Sequence, residues 1–81
     1  MSRDLSRSGE FQRIADPLAL GQAIRRSRKA HGLTQTELAG LAGTGLRFVS
    51  ELERGKPTAS LDKTLAVLAV LGLRLLLGEA R

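Results

Sequence analysis

Little in this sequence could perform covalent chemistry. It has no cysteine and one histidine, which removes disulfides, cysteine metal sites and thiol catalysis. His31 stands alone near a helix end, without neighbouring ligands, and reads as a surface residue. No acid/base pair, nucleophile with a base, or phosphate loop is present, so the chain reads as neither an enzyme nor a cofactor or metal carrier. What remains is ionic chemistry, and its location is informative. Residues 17–56 carry Arg25, Arg26, Arg28, Lys29, Arg47, Arg54 and Lys56 against Glu37, Glu51 and Glu53, a net of +4. Residues 1–16 balance to zero, and residues 57–81 hold three bases against two acids, which completes the overall +5. A positive excess gathered in one region is the footprint of phosphate binding.

The elements that would position those cations lie between Leu33 and Lys56. Thr34, with Glu37 three residues later, makes a capping box. Leu38, Ala39 and Ala42 then recur at helical spacing. Gly43 and Gly45 bracket a tight turn, a second helix carries Val49 and Leu52 inward, and Gly55 sits one step past its end as a stop. Two short helices joined by a glycine turn have the proportions of a helix-turn-helix. Before them, Asp16-Pro17 opens a helix with an acidic cap and proline at its first position, and that helix runs to about Ala30. Leu20, Ile24 and Arg28 fall four apart on its inner face. An arginine on a core stripe needs a partner.

Leu33-Thr34-Gln35, Leu38-Ala39, Gly43 and the run from Val49 to Lys56 resemble the phage-repressor (Cro/C1-type, XRE) helix-turn-helix family. Pro57-Thr58, Leu61-Asp62-Lys63 and Leu71-Gly72-Leu73-Arg74-Leu75 are similar to its HipB branch, antitoxin repressors that partner HipA-like kinase toxins. The resemblance implies that Glu53 is the partner of Arg28, a partly buried ion pair locking the first helix to the third. It also implies that Gln35 bonds a DNA phosphate, helped by helix N-terminal amides. The third helix, about Gly45 to Arg54, would then lie in the major groove. Its outward side chains are Leu46, Arg47, Ser50 and Glu51. Arg47 suits a guanine edge or a phosphate, Leu46 a thymine methyl, Ser50 either, and Glu51 a cytosine amino group or solvent. With Thr44, Gly45, Lys56 and Arg26, these complete the expected DNA-contacting set, and Arg25 and Lys29 are likewise free to face phosphate. Gly45 departs from the serine that often caps this helix.

The flanks read differently. Residues 1–16 resemble a mobile arm, with Leu5, Phe11 and Ile14 too scattered for a helix. After a cap at Ser60, the helix Leu61 to about Leu71 is apolar nearly all round. Leu61, Leu65, Leu68 and Ala69 are expected on one face, closing the core. Val67, Val70 and Leu71 are expected at a second subunit. Leu73, Leu75 and Leu77 alternate as a short strand that would pair with its symmetry mate, because a lone strand leaves backbone groups unsatisfied.

The expected fold is therefore all-α, four to five helices, with a C-terminal strand shared across a homodimer. Residues 1–16 form the arm, residues 17–72 the DNA-binding domain, and residues 73–81 the dimerisation strand and tail. The apolar run Leu65 to Leu77 is interrupted by Gly72 and Arg74 and falls short of the ~20 residues a bilayer requires. With no signal peptide in the first sixteen residues, no membrane partner and a cytoplasmic location are expected. The expected function is sequence-specific repression at a palindromic operator of double-stranded DNA, combined with an antitoxin role toward a HipA-like kinase and control of its own operon. A stand-alone phage-type regulator is the alternative. A protein-binding adaptor would have no reason to keep positive charge around the second and third helices.

Overall fold

Each helix starts where the sequence supplies a cap and stops where it supplies a break. The computed structural model describes residues 11–80, so the first ten residues of the expected arm lie outside it. Helix α1 is Pro17–Ala30, and the Asp16 carboxylate accepts from the Ala19 amide at 2.8 Å. Helix α2 is Gln35–Ala42. At its start Thr34 Oγ1 accepts from the Glu37 amide at 3.0 Å, and Glu37 accepts from the Thr34 amide at 2.8 Å. Helix α3, Leu46–Glu53, begins at Gly45 with no side-chain cap. Helix α4, Leu61–Val70, is capped by Ser60, which accepts from the Lys63 amide at 3.3 Å. The turn between α2 and α3 passes through Gly43 at φ 72°, a left-handed conformation that costs an L-residue with a Cβ much more than glycine.

The core is small and drawn from all four helices. Ile24, Leu38, Ala39, Val49, Leu52, Val67, Leu68 and Leu71 are buried together, with Leu20, Leu33 and Phe48 packed around them. On α4 the buried stripe is Thr64, Val67, Leu68 and Leu71, the 3/4 spacing that keeps side chains on one helix face. This corrects two expectations. Leu61 and Leu65 are 63% and 42% exposed and Ala69 is exposed, so they do not close the core. Val67 and Leu71, expected at a second subunit, are core residues of their own chain. The competing stripes looked equally apolar, and Thr64 concealed the correct one. Its hydroxyl can be buried because it donates to the Ser60 carbonyl at 2.7 Å.

Residues 73–80 adopt neither helix nor strand in the single chain, and no strand occurs among the described residues. The expected strand depends on hydrogen bonds from a second copy, which one chain cannot supply. Leu73, Leu75, Leu76 and Leu77 are all exposed, Leu77 almost completely. Val70 is half-buried against the core edge.

Helix α1 is held to α3 at two levels. Near its start the backbones touch. A Cβ on Gly21 would sit 2.6 Å from the Glu53 carbonyl oxygen and closer still to that of Leu52, while one on Gly55 would sit 2.7 Å from Leu18 Cα. Near its end Arg28 reaches the same place by its side chain. Nε and Nη2 donate to the two oxygens of Glu53 at 2.6 and 3.0 Å, and Nη1 donates to the Leu33 carbonyl at 2.8 Å. Gln35 Nε2 adds a fourth bond, to Glu53 Oε1 at 3.1 Å. Every nitrogen of the guanidinium is thus occupied, and both side chains are at most 9% exposed. The hydrogen bonds to Glu53 hold the Arg28 pKa above its ordinary value against the opposing effect of burial.

Two stability predictions follow from this joint. Gly21→Ala should destabilise the fold by about 1–3 kcal/mol or more, outweighing a gain of ~1 kcal/mol in helix propensity. Gly40→Ala is the control: it lies in α2, and its Cβ would meet nothing within 4 Å. That substitution should stabilise by up to ~1 kcal/mol, so urea unfolding of the two variants should move in opposite directions. For the ion pair, Arg28→Met or Glu53→Gln alone should cost about 3–5 kcal/mol, because each strands a buried charge. The double variant should lose much less than the sum, read from the same unfolding curves as a coupling energy. Additive losses would show that the two side chains are not coupled to each other.

Candidate nucleic-acid interface

The exposed cations are organised by helix geometry. Arg25 and Lys29 are one turn apart on α1 and line a groove of about 610 Å³ together with Thr34, Gln35 and Thr36 at the start of α2 and Leu46 at the start of α3. The first amides of α2 have no intrahelical acceptor and present positive partial charge at this edge. An anion entering the groove would meet two exposed cations and an oriented helix end, the arrangement that suits a backbone phosphate.

Helix α3 supplies the other half of the surface. Val49 and Leu52 fix its inner face in the core, which turns Leu46 and Arg47 outward. Leu46 is 50% exposed and the Arg47 side chain 89% exposed. Gly45 is exposed beside them, while Thr44 and Ser50 are half-buried. Thr44 Oγ1 makes only a long contact of 3.5 Å to the Gly45 carbonyl. Lys56, in the turn after α3, is 46% exposed in its side chain.

Four of the expected side chains, Arg26, Gln35, Arg47 and Lys56, are bonded within the chain. Arg26 points away from the groove and donates to Gln12 Oε1 at 3.1 Å. It lies about 100° around the helix from Arg25 and does not line the groove. Arg25 and Lys29 take its place in the candidate surface. Gln35 lies at the groove, yet its amide nitrogen is already bonded to Glu53, so the side chain is anchored inward rather than free. Lys56 Nζ donates to Glu51 Oε1 at 3.0 Å, and Arg47 Nε donates to Glu51 Oε2 at 3.1 Å. Glu51 therefore bridges two of the cations, and their hydrogen bonds, Lys56 first, hold its carboxyl below the usual carboxylate pKa. The i,i+4 spacing of Arg47 and Glu51 was visible in the sequence; the bond from Lys56 required the turn to be known.

Known proteins share this architecture. The helix-turn-helix family profile matches residues 24–77. An uncharacterized HTH-type transcriptional regulator of Sinorhizobium fredii, y4mF, is 52% identical over 61 residues, 75% of this chain and 80% of that protein. Among solved structures, a HipB–O4 20mer complex superposes with a TM-score of 0.79 at 31% identity, covering 88% of this chain and all of the matched chain in that complex. A HipA–HipB–O2–O3 complex matches at the same TM-score and coverage with 30% identity. The fold and its surface define a helix-turn-helix DNA-binding transcriptional regulator. The chain belongs to the helix-turn-helix family of the phage-repressor (Cro/C1, XRE) type and is HipB-like in structure.

Proposed function

We propose that this protein represses transcription as a homodimer on a palindromic operator, and that it neutralises a HipA-like kinase toxin whose operon it controls. The observation that carries the DNA part is the surface joining Arg25, Lys29 and the α2 start to the exposed N-terminal half of α3. Phosphate contacts from the first set would position the domain, and Arg47, Leu46 and Ser50 would read the groove. Gln35 joins the phosphate contacts through its remaining amide hydrogen without leaving Glu53.

The toxin part draws support from the HipB neighbours, one of which is a complex of HipB with HipA. A kinase gene beside this one would favour it; without such a gene, a stand-alone regulator is the better reading. No helix among the described residues is long and apolar enough to cross a membrane.

Binding to duplex DNA should weaken steeply as salt rises, because each phosphate-bound cation releases counterions. A flat titration would remove direct DNA binding. Arg47→Ala should cost about 1–3 kcal/mol on a preferred duplex and less on a scrambled one if the side chain reads a base. Equal losses on both duplexes would make Arg47 a phosphate contact.

The dimer part draws support from Leu73 to Leu77. Four leucines in five residues are exposed there, and Leu65 of α4 is exposed as well; apolar side chains gathered at a surface mark an interaction site. Two-fold pairing of this segment would cover the leucines and satisfy its backbone in one step. Leu75→Asp should convert dimers to monomers and lower affinity for a palindromic duplex more than for a single half-site. Light scattering at low micromolar concentration checks it, and a stable wild-type monomer would sink the dimer.

A further inference from the structure

The bridge at the outer edge of α3 has a use that its stability does not explain. We infer that Glu51 is a positioning residue that aims the Arg47 guanidinium at a guanine and keeps Lys56 from binding phosphate indiscriminately. The inference rests on the reading that α3 enters the major groove, and it concerns how that helix discriminates bases.

The geometry of the guanidinium carries the argument. Glu51 Oε2 takes only the inner nitrogen, Nε, at 3.1 Å. Nη1 and Nη2 have no hydrogen bond among the described residues, and the side chain projects with 89% of its surface exposed. The free edge holds two parallel N–H donors, the pattern that matches O6 and N7 of guanine. An arginine free at every nitrogen would sample many rotamers and accept any phosphate within reach. Fixing Nε removes much of that freedom before binding, so less entropy is lost on the base.

A plain surface ion pair would not be built this way. Arginine four residues before a glutamate is the weaker order on a helix, and Arg47 sits in the first turn, where the helix dipole is already positive. Exposed pairs add little to stability in any case. Meanwhile Lys56 holds the second oxygen at 3.0 Å, and the Glu51 side chain is only 22% exposed. The lysine thus clamps the carboxylate from behind and cancels the repulsion a bare Glu51 would feel from phosphate. With its charge engaged, Lys56 contributes less to indiscriminate backbone binding.

The test is enrichment of a randomised 20-base-pair duplex library by the full chain, wild type and variants. The wild type should enrich a motif with a guanine that Arg47→Ala no longer prefers. Glu51→Ala should lose preference at the same position, by roughly tenfold or more, while its affinity for a scrambled duplex rises and its salt dependence steepens by about one to two units of log–log slope. Glu51→Gln, which keeps an acceptor for Nε, should restore part of the guanine preference without restoring the weaker scrambled-duplex binding. Thermal unfolding of both Glu51 variants should match the wild type, which separates aiming from folding. The inference is overturned if Glu51→Ala keeps the guanine, or if it loses a cytosine position that Arg47→Ala retains, since that would make Glu51 a direct reader. A wild type that binds duplex DNA but shows no Arg47-dependent guanine overturns it while leaving DNA binding intact. A wild type that binds no duplex removes both.

Discussion

Everything that faces outward in this domain depends on where α1 meets α3, and that joint is set by the Arg28–Glu53 pair. The two side chains are buried in a core too small to spare volume for idle polar atoms. Burying the charges is expensive, and a well-fitted apolar pair could stabilise the joint equally. What the ion pair adds is direction. Its bidentate geometry leaves one register for α1 against the end of α3, and the third nitrogen ties the α1–α2 turn at Leu33 to the same point. Gln35, the first residue of α2, is fastened to Glu53 as well. A single carboxylate at the end of α3 thereby fixes the bearing of both helices of the helix-turn-helix.

Direction of this kind would be useless if the helices could slide apart, and here the glycines matter. The C-terminal turn of α3 lies directly on the α1 backbone because Gly21 and Gly55 have no Cβ to hold it off. The close contact supplies distance and the ion pair supplies register. Neither would suffice alone: backbone contact has little orientational preference, and a long arginine can reach a carboxylate from several helix positions. Together they make the surface of α3 a rigid extension of α1. The groove between Arg25, Lys29 and the α2 start is then preformed.

How much of this was legible in the sequence varied with the physical signal. Caps and stops are local chemistry, so Asp16-Pro17, Thr34 with Glu37, Gly43 and Ser60 marked the helices within a residue or so. Arg28 on an inner stripe announced that a partner was required, though naming Glu53 took family resemblance rather than spacing. The α4 face was harder, because nearly every residue is apolar and the polar Thr64 belongs to the buried stripe. Gly21 gave only a weak sign, a glycine in the middle of a helix that otherwise has no need of one. Long-range electrostatics gave less still. Which of Arg25, Arg26 and Lys29 shares a face with α2 follows from the crossing of two helices, and no window along the chain contains that angle.

The distribution of charge over the finished surface bears on selectivity rather than on affinity alone. If all the cations of residues 17–56 were free, the domain would bind any duplex strongly, and competing nonspecific sites would hold it. Several are instead engaged within the chain: Arg28 by Glu53, Arg26 by Gln12, and Arg47 and Lys56 by Glu51. Arg25 and Lys29 remain beside the α2 start, where they can set position without reading sequence. On DNA, Arg47 would keep its bond to Glu51 and offer its free edge to a base, whereas Lys56 would leave Glu51 only where a well-placed phosphate repays the lost bond. A basic domain can in this way stay selective, because part of its positive charge is conditional on the geometry of what it meets.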